Sequence, residues 1–158
     1  DNLIKKGLVF INGVKCDQLG KKIRKKLNNK GIKLAGLENQ IMKNGFFEFV
    51  KNNTHDVMMP DVKYSGGPDE MIELDKFFSK HNIEFSPHNP SGPIAHAHSI
   101  QICSVSTPCL LEYQYKESDK FDSIVNLSNT PIINSKVRTI TSEKGLGISI
   151  NMENLLKK

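Results

Sequence analysis

Apolar residues fall along this chain in short runs that alternate with amphipathic stretches. Five runs read as strands: Leu8–Ile11, Ile32–Leu37, Asp56–Pro60, Ile83–Ser86 and Leu110–Tyr113. Between them lie helical patterns near residues 17–29, 45–53, 68–81 and 93–106. The third is the best marked. Pro68 suits a first-turn position, Asp69 and Glu70 complement the N-terminal dipole, and Met71, Leu74, Phe77 and Phe78 form the apolar stripe. In the first pattern Leu19, Ile23 and Leu27 recur every four residues, which predicts one buried face with the cations of Lys21–Lys26 on the wet side. Strands alternating with helices through short connections predict right-handed βαβ units, a parallel sheet and the α/β class over residues 1–115. Beyond Tyr115 the pattern changes. In the segment 116–158, residues 132–140 and 147–150 are expected to form a hairpin through a turn near Glu143–Gly145, ahead of a short last helix. This segment is expected to fold back on the first part.

Composition narrows the setting. The 158 residues are long enough for one domain with a core, and 37% hydrophobic with 25% charged residues is the balance of a soluble globular chain. No apolar run approaches a membrane span and the N-terminus lacks a signal-peptide pattern, so no membrane partner is expected. Cys16, Cys103 and Cys109 lack metal-type spacing and read as reduced thiols of a cytoplasmic protein. Charge is lopsided: ten Lys/Arg and two Asp in residues 1–35 give that stretch +8 against +5 for the whole chain. No aromatic residue interleaves the cations to stack on bases, so nucleic acid is not expected as a partner either.

The ends of the predicted strands carry Asn12, Glu38, Asp61, His88 and Glu112, spaced by 26, 23, 27 and 24 residues, about one βα unit each. One such residue is an ordinary polar cap. Five in phase predict a ring of functional groups at the C-terminal edge of a parallel sheet, where α/β proteins do their chemistry. A His and an Asp on neighbouring strand ends suit a general base with its orienting carboxylate. Glu38 suits a hard divalent cation such as Mg²⁺, which takes oxygen ligands. Glu112, on the far side of the His, suits a general acid or a donor to a substrate carboxylate. His55 and His81 sit at expected helix ends, and His96 and His98 fall within the fourth helix, where packing or surface placement is expected. Neither a dinucleotide fingerprint nor a phosphate-binding loop is present.

The motifs Pro60-Asp-Val-Lys-Tyr-Ser-Gly-Gly67, Ser86-Pro-His-Asn-Pro-Ser-Gly-Pro-Ile-Ala95, Leu111-Glu-Tyr-Gln114 and Gly145-Leu-Gly-Ile-Ser-Ile150 carry a resemblance. In order and spacing they resemble the mandelate racemase branch of the enolase superfamily, from about Leu8 to the C-terminus. The resemblance implies the C-terminal part, about five βα units, of a (β/α)-barrel with a C-terminal hairpin segment. It implies Mg²⁺-dependent abstraction of the proton α to a carboxylate. Under it His88 is the base, Asp61 its partner, Glu112 the acid near the substrate carboxylate, Glu38 the last metal carboxylate, and Asn12 stands where a second metal-binding Glu is usual. The first metal carboxylate, a Lys-bearing strand and most of a capping domain would lie upstream of Asp1.

The reading that follows is a carbon–oxygen lyase acting on an acid sugar, similar to galactonate dehydratases. A racemase or epimerase of a 2-hydroxy acid using the same dyad is the alternative within enzymes. From another class comes a catalytically inactive remnant serving as a binding or structural domain, for which Asn12 argues. Open strand edges on a partial barrel predict association, either with upstream polypeptide or as a homo-oligomer.

Overall fold

The computed structural model describes residues 7–11, 13–14, 17–108, 110–113, 121–126, 132–137 and 144–156. Four parallel strands stand in sequence order: β1 (Leu8–Phe10), β2 (Lys33–Gly36), β3 (Val57–Met58) and β4 (Glu84–Phe85). Their registers pair Leu8 with Lys33, Ala35 with Val57, and Val57 with Glu84. Helices α1 (Gln18–Asn28), α2 (Met42–Lys51) and α3 (Pro68–Ser79) make the crossovers, and α4 (Pro93–Val105) follows β4. Strands that neighbour in space in their chain order, each followed by a helix, are the arrangement the alternating pattern predicts.

The sheet buries both faces, which is why its strands are continuous apolar runs rather than alternating ones. Towards the helices lies the main core, with Phe46, Val50, Met58, Met71, Leu74, Phe78, Phe85 and Ile102 all buried. The rings of Phe46 and Phe78 meet edge to face at 5.2 Å, tying α2 to α3. On the opposite face Leu8, Ala35, Val57 and Met59 form a second cluster, with Leu110 packed on it. Lys33 and Glu84 form an ion pair.

The first helix differs from its predicted face. Leu19 is 56% exposed and Ile23 and Leu27 are only half-buried, whereas Gly20 is buried. The cause is Arg24, which turns inward from the cationic tract: its Nε donates to Asp56 Oδ1 at 2.7 Å and its Nη1 to Asn53 O at 3.0 Å. Asp56 also accepts the Leu34 amide at 2.8 Å and Asn28 Nδ2 at 2.8 Å, so this carboxylate anchors α1 to the sheet. A four-residue repeat cannot reveal that a cation has found a partner on the buried side. Lys22, Lys25 and Lys26 do lie in solvent.

Two junctions are built alike. Gly67 and Gly92 are the N-caps of α3 and α4, at φ 99° and ψ −174° and at φ 93° and ψ 178°, and each is followed by Pro at the helix start. That backbone region is open essentially to glycine alone, and Pro then sets the first helical φ. The chain therefore turns sharply from each strand end into its helix, leaving the strand-end side chains at the rim.

The fifth predicted strand is present in reduced form. Phe85 and Pro108 make an isolated parallel bridge, and residues 110–113 follow in irregular conformation. Asp75 on α3, itself buried, holds this stretch by accepting the Thr107 amide at 3.0 Å and the Thr107 hydroxyl at 3.0 Å.

The C-terminal pairing differs from expectation. Beyond a short helix α5 (Phe121–Ile124), β5 (Val125–Asn126) pairs antiparallel with β8 (Ser149–Ile150). The hairpin is instead local: β6 (Ile132–Ile133) pairs with β7 (Lys136–Val137). Asn134 at φ 51° and Ser135 at φ 60° close it, the two left-handed residues that a two-residue hairpin turn demands. Ser149–Ile150 thus close on a partner about 24 residues earlier, and among the described residues of 132–140 none pairs with them. Helix α6 (Met152–Leu156) ends the described chain, and α5 lies against α4. Among the described residues no helix is long and apolar enough to cross a membrane.

Candidate functional site

Asp61 and His88 stand just past the ends of β3 and β4, and the parallel ladder itself brings them together. The His88 amide donates to Pro60 O at 3.0 Å, and Asp61 and His88 form an isolated parallel bridge. Both side chains then project to the same side. His88 Nδ1 lies 3.0 Å from Asp61 Oδ2. Asp61 is 1% exposed and also accepts the Lys63 amide at 2.9 Å, with Ser91 Oγ at 3.4 Å and Lys63 Nζ at 3.7 Å. A buried carboxylate with these donors accepts a proton bond from Nδ1, which leaves the second imidazole nitrogen, Nε2, as the one able to take a proton.

Glu112 stands on the other side of the ring. Its Oε2 is 3.8 Å from His88 Nε2, too far for a hydrogen bond, with side-chain exposures of 22% for His88 and 36% for Glu112. Both side chains remain partly exposed, so solvent reaches this edge of the imidazole. Glu112 Oε2 accepts the Asn89 amide at 3.0 Å.

Asn89 and His96 join this group without having been expected in it. Asn89 is buried, and its Nδ2 donates to Glu112 O at 2.9 Å and lies 2.6 Å from His96 Nδ1. Since Nδ2 carries only hydrogens, His96 Nδ1 is the acceptor and His96 is neutral. Burial pushes the His96 imidazole down to about 4, in keeping with that tautomer. The sequence held a signal for this pair: a histidine beside Ala97, Ile100 and Ile102 on the mainly apolar inner side of its helix, where Ser99 is the other polar residue. His55 and His81 lie apart from this group. His55 is buried behind β2, where Nδ1 meets Thr54 Oγ1 at 2.9 Å, and burial pushes it down to about 4 despite the nearby Asp56. His81 bonds Phe77 O at 2.8 Å.

Glu38 follows β2, half-buried, one residue past Leu37 at φ 79°. Asn12 lies outside the described residues, as do Cys16 and Cys109. Among the described residues no three His, Cys, Asp or Glu side chains converge to hold a metal ion. The described donors therefore do not by themselves make a Mg²⁺ site.

A family model described as enolase C-terminal domain-like matches residues 17–154. D-galactonate dehydratase of Xanthomonas campestris pv. campestris (strain B100) is 29% identical over 108 residues, 65% of this chain and 28% of that protein. D-galactonate dehydratase of Verminephrobacter eiseniae (strain EF01-2) is 26% identical over the same length. The chain thus spans under a third of the curated relatives it matches. Among solved structures, a mandelate racemase/muconate lactonizing enzyme-like protein from Roseovarius sp. TM1035 superposes with TM-score 0.79 at 18% identity, covering 94% of this chain and 36% of that one. The 3,6-anhydro-D-galactonate cycloisomerase from Zobellia galactanivorans gives TM-score 0.74 at 22% identity, covering 84% and 37%. A structure from Burkholderia xenovorans strain LB400, bound to magnesium and fumarate, gives TM-score 0.78 at 17% identity, covering 94% and 35%.

Proposed function

This chain belongs to the enolase C-terminal domain-like family, and from that premise we propose that it carries the base side of an acid-sugar dehydratase. In this reading His88 Nε2 removes the proton α to the substrate carboxylate, Asp61 holds the ring and stabilises the imidazolium, and Glu112 acts as acid at the substrate's polar end. The observation that carries it is the 3.0 Å contact of Asp61 with His88 Nδ1, with Glu112 set 3.8 Å from the opposite nitrogen. A base whose second nitrogen is pinned by a buried carboxylate keeps one tautomer and one orientation. The family-level likeness to galactonate dehydratases supports an acid sugar as substrate and β-hydroxyl loss as outcome.

Mg²⁺ belongs to the proposal on two supports: the resemblance, and the magnesium bound in the Burkholderia neighbour. When bound, such a cation neutralises charge developing on the carboxylate oxygens. Glu38 is the described residue assigned to it.

The test uses the full chain with Mg²⁺ and a panel of acid sugars, watching for 2-keto product and for exchange of the α-proton in D₂O. His88→Asn is expected to cut exchange by the order of 10²-fold or more, and Asp61→Asn to weaken it by freeing the ring. A His88→Asn variant exchanging the proton at near wild-type rate rejects the assignment.

A further inference from the structure

We propose that Asn89 is a positioning residue which, backed by His96, sets the Glu112 carboxylate opposite His88. The claim deepens the proposed function and rests on it for its catalytic meaning, but its geometry stands alone.

Glu112 sits on a stretch that has almost no ladder of its own. Where Asp61 and His88 are registered by strand pairing, residues 110–113 follow a single bridge at Pro108. Side chains from the β4 unit take over the task of pairing. Ser86 Oγ donates to Leu110 O at 3.1 Å, and Asn89 Nδ2 donates to Glu112 O at 2.9 Å. Their acceptors lie two residues apart, the spacing of a parallel ladder along one edge. The Asn89 amide then donates to Glu112 Oε2 at 3.0 Å, so one residue grips both the backbone and the carboxylate of Glu112.

The Glu112 carbonyl fixes the orientation of the Asn89 side-chain amide, and His96 matches it. A terminal amide group can be reversed, but reversal would set its oxygen against Glu112 O, acceptor to acceptor. In the orientation observed, Nδ2 serves Glu112 O and the buried His96 Nδ1 together, at 2.9 and 2.6 Å. Tyr113 closes the group, its ring centroid 5.1 Å from that of His96. Asn89 Oδ1, buried, has no hydrogen-bond partner among the described residues. Leaving a buried acceptor unpaired is unfavourable, and the residue tolerates it to keep Nδ2 on both acceptors.

The test reads the residue-89 backbone amide by hydrogen exchange in the full chain, since that proton reports the carboxylate contact. Glu112→Ala sets the unprotected limit. Asn89→Ala is expected to raise exchange at residue 89 at least tenfold towards that limit, while the His88 amide, bonded to Pro60 O, holds within about twofold. His96→Leu, which keeps the volume and loses the acceptor, is expected to move it the same way by less, and serves if Asn89→Ala does not fold. Residue-89 exchange unchanged in a folded variant overturns the proposal. With an acid-sugar substrate, Asn89→Ala and Glu112→Gln should each lower turnover at least tenfold and the double variant no further; multiplicative losses also overturn it. Absence of any turnover in the wild type would count against the proposed function alone, and the amide measurement would still decide the positioning.

Discussion

The sheet with its helices up to the end of α4, and the stretch that follows α4, are held by different means. In the first, each strand end is placed by main-chain pairing to its neighbour and by a helix whose apolar stripe is buried, as with Met71, Leu74 and Phe78 of α3. In the second, placement falls to individual side chains, such as Asp75 on Thr107, Ser86 on Leu110 and Asn89 on Glu112, and to strand pairs of two residues each. The candidate site lies across the join, with Asp61 and His88 from the ladder and Glu112 from the side-chain ties. A periodic scaffold supplies register cheaply and repeatedly, whereas a non-periodic one needs a specific polar contact for every position it holds.

The largest expected effect sharpens this contrast at the core. Phe78→Ala, which empties the centre of the α2–α3–sheet contact, should cost about 3–5 kcal/mol of global stability. Chemical denaturation checks it. If the β5–β8 amides lose protection in parallel with β3 and β4, the two regions unfold as one unit. If they keep their original rates, the regions are separate.

Acid tests the join itself. His55 and His96 titrate near 4 in the folded chain, against an ordinary 6.5, because burial disfavours their charged form. The unfolded chain therefore takes up these protons first as pH falls. Stability is fully present above about 6.5 and is lost progressively towards 4, by on the order of 3 kcal/mol per histidine. Urea midpoints measured between pH 7 and pH 4 should fall, and a His96→Leu variant should lose roughly half of that dependence. A slope unchanged by that substitution would remove His96 from the buried, neutral role given to it.

The smallest effect belongs to the second region alone. Ser135→Gly, at a left-handed turn position, should stabilise the β6–β7 hairpin by up to about 1 kcal/mol. Slower exchange of the Ile132–Val137 amides, with the α3 amides unmoved, is the expected result.

Much of the first region was legible from the chain alone. Apolar runs at intervals of one βα unit, Gly-Pro at residues 67–68 and 92–93, and polar residues in phase at 61 and 88 were sufficient to predict parallel pairing and the Asp61–His88 contact. The reason is physical: period, turn chemistry and strand-end position are local properties, and a repeated unit leaves one way to stack. The Leu19–Ile23–Leu27 face failed where Arg24 met Asp56, 32 residues away, and Ile150, expected to pair with residues 132–140, pairs instead with Val125. Nothing in the chain alone singled out Asn89, and His96 read as a packed or surface residue of the fourth helix. Only the tertiary structure decided that they meet Glu112, because their bonds join residues separated by 7 and 23 positions, and no local preference specifies a partner at that distance.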